Sequence, residues 1–95
     1  MRRQLLLRDV ETIAHDARLR FIRHEIEKGL ALVRFAREER FGNRTAFEIA
    51  KTRAAKTYYD FRRYLDGLGG RLTAVEEEQL QANLESLGDA IHSLD

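Results

Sequence analysis

Cysteine and proline are both absent, and glycine occurs only six times. Without cysteine there is no disulfide framework, no thiolate metal site and no cysteine nucleophile, and redox logic indicates no compartment. Proline marks turns and strand edges, so its absence favours long uninterrupted helices. Long apolar runs are missing too. The opening "MRRQLLLRD" is interrupted at Arg8, short of the apolar stretch of about 7–15 residues that a secretory signal needs. Nothing in the sequence spans a bilayer, so no membrane partner and a cytoplasmic location are expected.

What is present is charge and apolar periodicity. At 95 residues, 43% hydrophobic and 35% charged, the chain is too apolar for a disordered segment and suits one domain with a modest core. The net charge of +1 hides an asymmetry: residues 1–72 carry all 17 Lys and Arg against 10 acids, and residues 73–95 carry six acids and no base. An acidic last helix packed on a basic body accounts for this, and a polyanion would meet the first 72 residues.

Two interruptions divide the chain, "FGN" at 41–43 and "GLGG" at 67–70. Glycine and asparagine tolerate positive φ, so both read as helix stops, with Leu68 packing back to complete a Schellman-type cap. Thr45 with Glu48, and Thr73 with Glu76, fit capping boxes after the stops. Glu76, Glu77 and Glu78 then suit the positive end of a helix dipole. The reading is one all-α domain, 1–95, with helices over about 4–40, 44–67 and 73–94 in a three-helix up-down-up bundle.

In the second helix Phe47, Ala50, Ala54, Thr57, Tyr58, Phe61, Tyr64, Leu65 and Leu68 form one stripe, with Glu48, Thr52, Lys56, Tyr59 and Arg63 opposite. In the third, Leu80, Leu84, Leu87, Ile91 and Leu94 follow a 4-3-4-3 seam that needs a partner helix. The first helix carries two stripes. Leu19, Ile22, Ile26, Leu30, Val33 and Ala36 share one side; Leu6, Leu7, Val10, Ile13, Ala14, Ala17 and Phe21 share another, rotated by more than about 100°. A helix over 4–40 is about 55 Å long, whereas the second covers about 36 Å. The first 18 or so residues therefore project with an apolar side uncovered, which marks a partner site. The economical partner is a second copy of the chain. A homodimer built on Leu6, Val10, Ile13, Ala17 and Phe21 is expected, together with the free edge of the third helix's seam; a separate protein partner is an alternative occupant.

Reactive chemistry finds little support. His15, His24 and His92 are the only histidines. Glu11 with His15 and Asp89 with His92 share helix faces, but neither spacing matches the Glu-x-x-His pattern of helical di-metal sites. The only serines, Ser86 and Ser93, lie on the acidic helix away from its seam. "GLGG" follows a helix and lacks the spacing of a phosphate loop. No catalytic, metal-binding or cofactor-binding residue is assigned, no cofactor is implied, and the chain is read as a non-enzyme.

Nucleic-acid binding is the alternative, through basic groups on the first two helices: Arg34, Arg37, Lys56, Arg62 and Arg63, with Tyr59 as the one ring on the solvent side within residues 56–70. Thr45, Ile49, Ala50 and Lys51, followed by Tyr58, Tyr59 and Phe61, resemble the helix-turn-helix of tetracycline-repressor-type regulators. The sequence departs at that motif's centre, where "TRAAK" replaces a glycine-bearing turn. The segment "LALVRFAREERFGNRTAFEIAKTRAAKTYYDF", about residues 30–61, resembles a tetratricopeptide-type helical hairpin: two helices of small and aromatic residues joined at Gly42-Asn43, then Ala46, Ala50 and Ala54. That resemblance implies a protein-binding scaffold.

Overall fold

The computed structural model describes the backbone of residues 2–95 and the side chains of residues 9–95. The chain is all-α: among the described residues the regular elements are α1 (Arg2–Glu39), α2 (Arg44–Leu68), a 3-10 turn (Gly69–Arg71) and α3 (Ala74–His92). α1 is continuous over 38 residues, through Arg18–Arg20, and the molecule is correspondingly elongated at 62 × 20 × 16 Å.

The helix ends follow local hydrogen bonding. Thr73 and Glu76 make the reciprocal capping box at the start of α3, with Thr73 N–H donating to Glu76 Oε1 at 2.9 Å and Glu76 N–H to Thr73 Oγ1 at 3.2 Å. The corresponding box at Thr45 and Glu48 does not form. Asn43 is the N-cap of α2, its Oδ1 accepting from Ala46 N–H at 3.0 Å, and Glu48 pairs with Arg44 at 3.0 Å instead. Asparagine two residues earlier reaches the free amides first, which leaves Thr45 inside the first turn. The 41–43 stop uses no positive φ; Glu39 bridges it, its side chain accepting from Asn43 N–H at 3.0 Å and its carbonyl from Gly42 N–H at 3.1 Å. Gly69 does have φ +53°, with ψ −128°, which lies outside the left-handed helical well of an ordinary glycine cap. Leu68 is nonetheless buried at the end of α2.

The core is one seam in two joined parts. Ile22 and Ile26 of α1 meet Phe61, Leu65 and Leu68 of α2 and Leu80 and Leu84 of α3. Further along α1, Val33 and Ala36 meet Phe47, Ala50 and Ala54 of α2 and Leu87 and Leu94 at the end of the chain. The expected stripe of α2 is the buried one, with Tyr58 and Tyr64 at its half-buried edges. The expected free edge of the α3 seam is closed within the chain, since Leu80, Leu84, Leu87 and Leu94 are all buried and Ile91 is half-buried.

Two glycines inside helices set how closely the elements approach. A Cβ on Gly29 would lie 2.9 and 3.0 Å from the two methyl carbons of Leu87, and one on Gly88 would lie 2.9 Å from the Tyr58 ring. Gly29 thus admits a fully buried leucine from α3 against the α1 backbone, which offsets its poor helix propensity. Leu87 is 0% exposed and has nowhere to go, whereas Tyr58 is half-buried and can swing outward. Gly29→Val is expected to lower the urea-unfolding free energy by about 1–3 kcal/mol. Gly88→Ala is expected to stay within about 1 kcal/mol of the parent. A Gly29→Val chain as stable as the parent would contradict this packing.

Candidate functional site

The apolar flank of the N-terminal half of α1 is open. Val10 is 60% exposed, Ile13 64% and Phe21 48%, and Ala17 between them is exposed as well. Leu6, the fifth residue of the expected set, lies outside the described side chains. The opening has a geometric cause. The core begins at Leu19 among the described residues, because the end of α2 lies beside Ile22 and the 3-10 turn then leads the chain into α3. Phe21 sits at the border, its ring edge-on to Tyr64 with centroids 5.1 Å apart at 62°.

His15 ties this half of α1 to α3. Its Nε2 lies 2.9 Å from Glu76 Oε2, the cross-helix hydrogen bond nearest the N-terminus among the described residues. Glu76 thus uses one oxygen for its own helix cap and the other for α1. The Thr73 amide and then the His15 ring stabilise its carboxylate and hold its pKa below the ordinary glutamate value. At the far end Lys51 pairs with Asp95 and lowers that carboxyl group's pKa in the same way. Neutralisation of the acidic segment stops there: among the described residues, Glu77, Glu78, Glu85 and Asp89 make no ion pair.

The six groups named for nucleic acid are distributed around the molecule. Arg34 is exposed on α1, and Arg37 reaches the end of α3, donating from Nη2 to Ser93 Oγ at 3.2 Å. Arg62 lines the groove toward α3 beside Tyr58, Gln81 and Glu85. Its neighbour Arg63 lines a different groove toward α1. Lys56 is exposed. Tyr59, 62% exposed, packs edge-on to Tyr58 at 5.4 Å and opens on a groove bearing Glu85, Asp89 and Asp95. The one exposed ring of α2 therefore faces mainly carboxylates rather than a basic track. α2 is also a single helix through residues 52–56, so no turn divides it at "TRAAK".

Other features of these surfaces had no marker in the sequence. Arg18 of α1, Arg63 of α2 and Arg71 of the 3-10 turn border one shallow groove of about 680 Å³ with Asp60, Tyr64, Gly67 and Leu68. The Arg18 Nε is buried with no acceptor from the protein. Positions 18, 63 and 71 share no sequence period, so only the fold brings them together. Ser93 Oγ, one of two candidate hydroxyls, donates to the Ala90 carbonyl at 2.6 Å and accepts from Arg37. Among the described residues no group of three His, Asp or Glu side chains is placed to hold a metal ion, and no helix is long and apolar enough to cross a membrane.

No protein-family model, curated protein or solved structure matches the chain.

The two lowered carboxylates fix the sign of an acid-stability effect. Each contributes stability that is present above its unfolded-state value, near 4.5 for Glu76 and 3.8 for Asp95, and that is lost as pH falls through the lower folded-state value. Thermal midpoints are therefore expected to decline as pH is taken below 4.5, and Glu76→Gln should flatten part of that decline. A Glu76→Gln profile parallel to the parent's would show that the Glu76 charge contributes nothing to the decline.

Proposed function

We propose that the protein is a non-enzymatic helical assembly module: an up-down-up three-helix bundle that self-associates as a homodimer through the N-terminal half of α1. The observation that carries this reading is the exposed flank of Val10, Ile13, Ala17 and Phe21 on a helix that extends past its partners. The bundle order rests on which residues meet. The start of the α1 core adjoins the end of α2 and the start of α3, and the end of α1 adjoins the start of α2 and the end of the chain.

An apolar flank of this kind at the end of a soluble bundle is stabilised by covering it. Polar neighbours frame it: Asp9, Glu11, Asp16 and Arg20 are all exposed, the apolar centre and charged rim of an interface. One further exposed apolar ring lies on this side of α1. Phe35, 46% exposed, follows Ala17 by about five helical turns and so returns to the same side of α1. His24 and Lys28 separate the two apolar parts. An isologous pairing of α1 with α1 of a second copy would bury the flank without leaving a free surface for continued growth. The resemblance to a tetratricopeptide-type hairpin favours the same broad role of protein binding.

Sedimentation equilibrium is expected to give a dimer whose dissociation changes little between low and high salt, as suits an apolar interface. Val10→Asp and Ile13→Asp should each yield a monomer with unchanged helical circular dichroism, since neither side chain belongs to the core. A parent chain that remains monomeric at high concentration would overturn the reading. Association only with oligonucleotides, weakening steeply with salt, would replace it with the nucleic-acid alternative.

A further inference from the structure

The geometry points to a second site on the same chain: the groove bordered by Arg18, Arg63 and Arg71 binds a phosphorylated small molecule, a phosphate monoester or diphosphate carrying an apolar or aromatic body. The groove is lined by three separate elements of a single chain, α1, α2 and the 3-10 turn, so it does not depend on the proposed dimer.

Charge is the first argument. Three guanidinium groups border the groove and Asp60 is its only carboxylate, an excess of two positive charges that suits a doubly charged anion. Among the described residues none of the three arginines, nor Asp60, makes an ion pair. Glu11 shares the adjoining groove with Arg18 and Arg71 and pairs with neither. Surface arginines commonly lie extended in water, and Arg63 and Arg71 are exposed. Arg18 is different. It is half-buried, and its Nε hydrogen is withdrawn from solvent with no acceptor supplied by the protein. That Nε is closed to a groove occupant, so the donors Arg18 can offer are its Nη groups, which no carboxylate of the described residues takes and which, with Arg63 and Arg71, match phosphoryl oxygens.

Shape is the second argument. The groove is open and shallow, and at about 680 Å³ it has room along it for more than one phosphoryl group. Tyr64 and Leu68 provide the apolar lining, so the excess space has a surface on which a ring can stack. Gly67 also lines the groove, and a Cβ there would meet nothing within 4 Å. Core packing therefore does not account for a glycine at this position, and its bare backbone leaves the approach open.

Isothermal titration with inorganic pyrophosphate and with ADP tests the assignment on the full chain. Both are expected to bind saturably at one site per chain, ADP more tightly because its base adds contact with Tyr64. Arg18→Gln and Arg71→Gln should each weaken binding by about tenfold or more, as loss of a charge-assisted hydrogen bond requires. Arg34→Gln, outside the groove, should leave binding unchanged. Arg71 lies in the exposed 3-10 turn, so its variant serves even where Arg18→Gln perturbs the fold, with circular dichroism as the check. Absence of saturable binding by either probe at millimolar concentration would overturn the proposal, as would full affinity in well-folded Arg71→Gln. ADP binding no tighter than pyrophosphate would remove the aromatic body from it. A single-stranded oligonucleotide that binds while neither small probe does, and whose binding Arg18→Gln and Arg71→Gln weaken, would assign the arginines to a polymer instead.

Discussion

The structure depends on a mismatch along α1. Over Leu19–Ala36 this helix turns one apolar side to α2 and α3 and buries it in a continuous seam. Before that point the apolar residues move round the helix, and the two shorter helices have already ended or begun beside Ile22 and His15. A 38-residue helix cannot be covered on one side by elements of 25 and 19 residues unless they are staggered. Here they are not: the end of α2 and the beginning of α3 stand at the same level. The elongated shape, the open flank and the groove around Arg18 all lie at or beyond that level.

Where the helices do overlap, approach is limited by side-chain volume at a few positions. Leu87 enters against Gly29, and Tyr58 lies over Gly88. Glycine within a helix is unfavourable by itself, and at both places the lost propensity is offset by packing that a side chain would block. The same economy shows in the small residues of α2, where Ala50 and Ala54 bring its first half close to Val33 and Ala36. The larger residues, Phe61 and Leu65, pack against Ile22 and Ile26 in the other part of the seam.

Electrostatics plays a positional part. The acids of the last helix are not gathered onto the basic body. One, Glu76, links α3 to α1 while capping its own helix, and another, Asp95, closes the end of the chain on Lys51. The basic groups are likewise scattered by helical geometry, with Arg62 and Arg63 on opposite grooves although adjacent in sequence. Charge totals for a segment therefore say little about charge on a surface: each helix distributes its charged residues around the arc that its apolar stripe leaves free.

Residue periodicity and local chemistry alone determined the helical class, the buried stripe of α2, the leucine seam of α3 and the cap at Thr73, because each depends on contacts within a few residues or on a repeat of about 3.6. They also marked Val10, Ile13, Ala17 and Phe21 as a flank distinct from the core side of α1. Competition between near neighbours was less legible: both Asn43 and Thr45 are good caps, and the choice fell to the one whose oxygen meets the Ala46 amide. Only the tertiary structure decided that the α3 seam is closed within the chain, that His15 meets Glu76, and that Arg18, Arg63 and Arg71 share a groove. His15 and Glu76 are 61 residues apart, and Arg18 lies 45 and 53 residues from Arg63 and Arg71; the register is set by where α1 and α2 stop and how closely Gly29 lets α3 approach. That is a property of packed helices, and no single helix carries it.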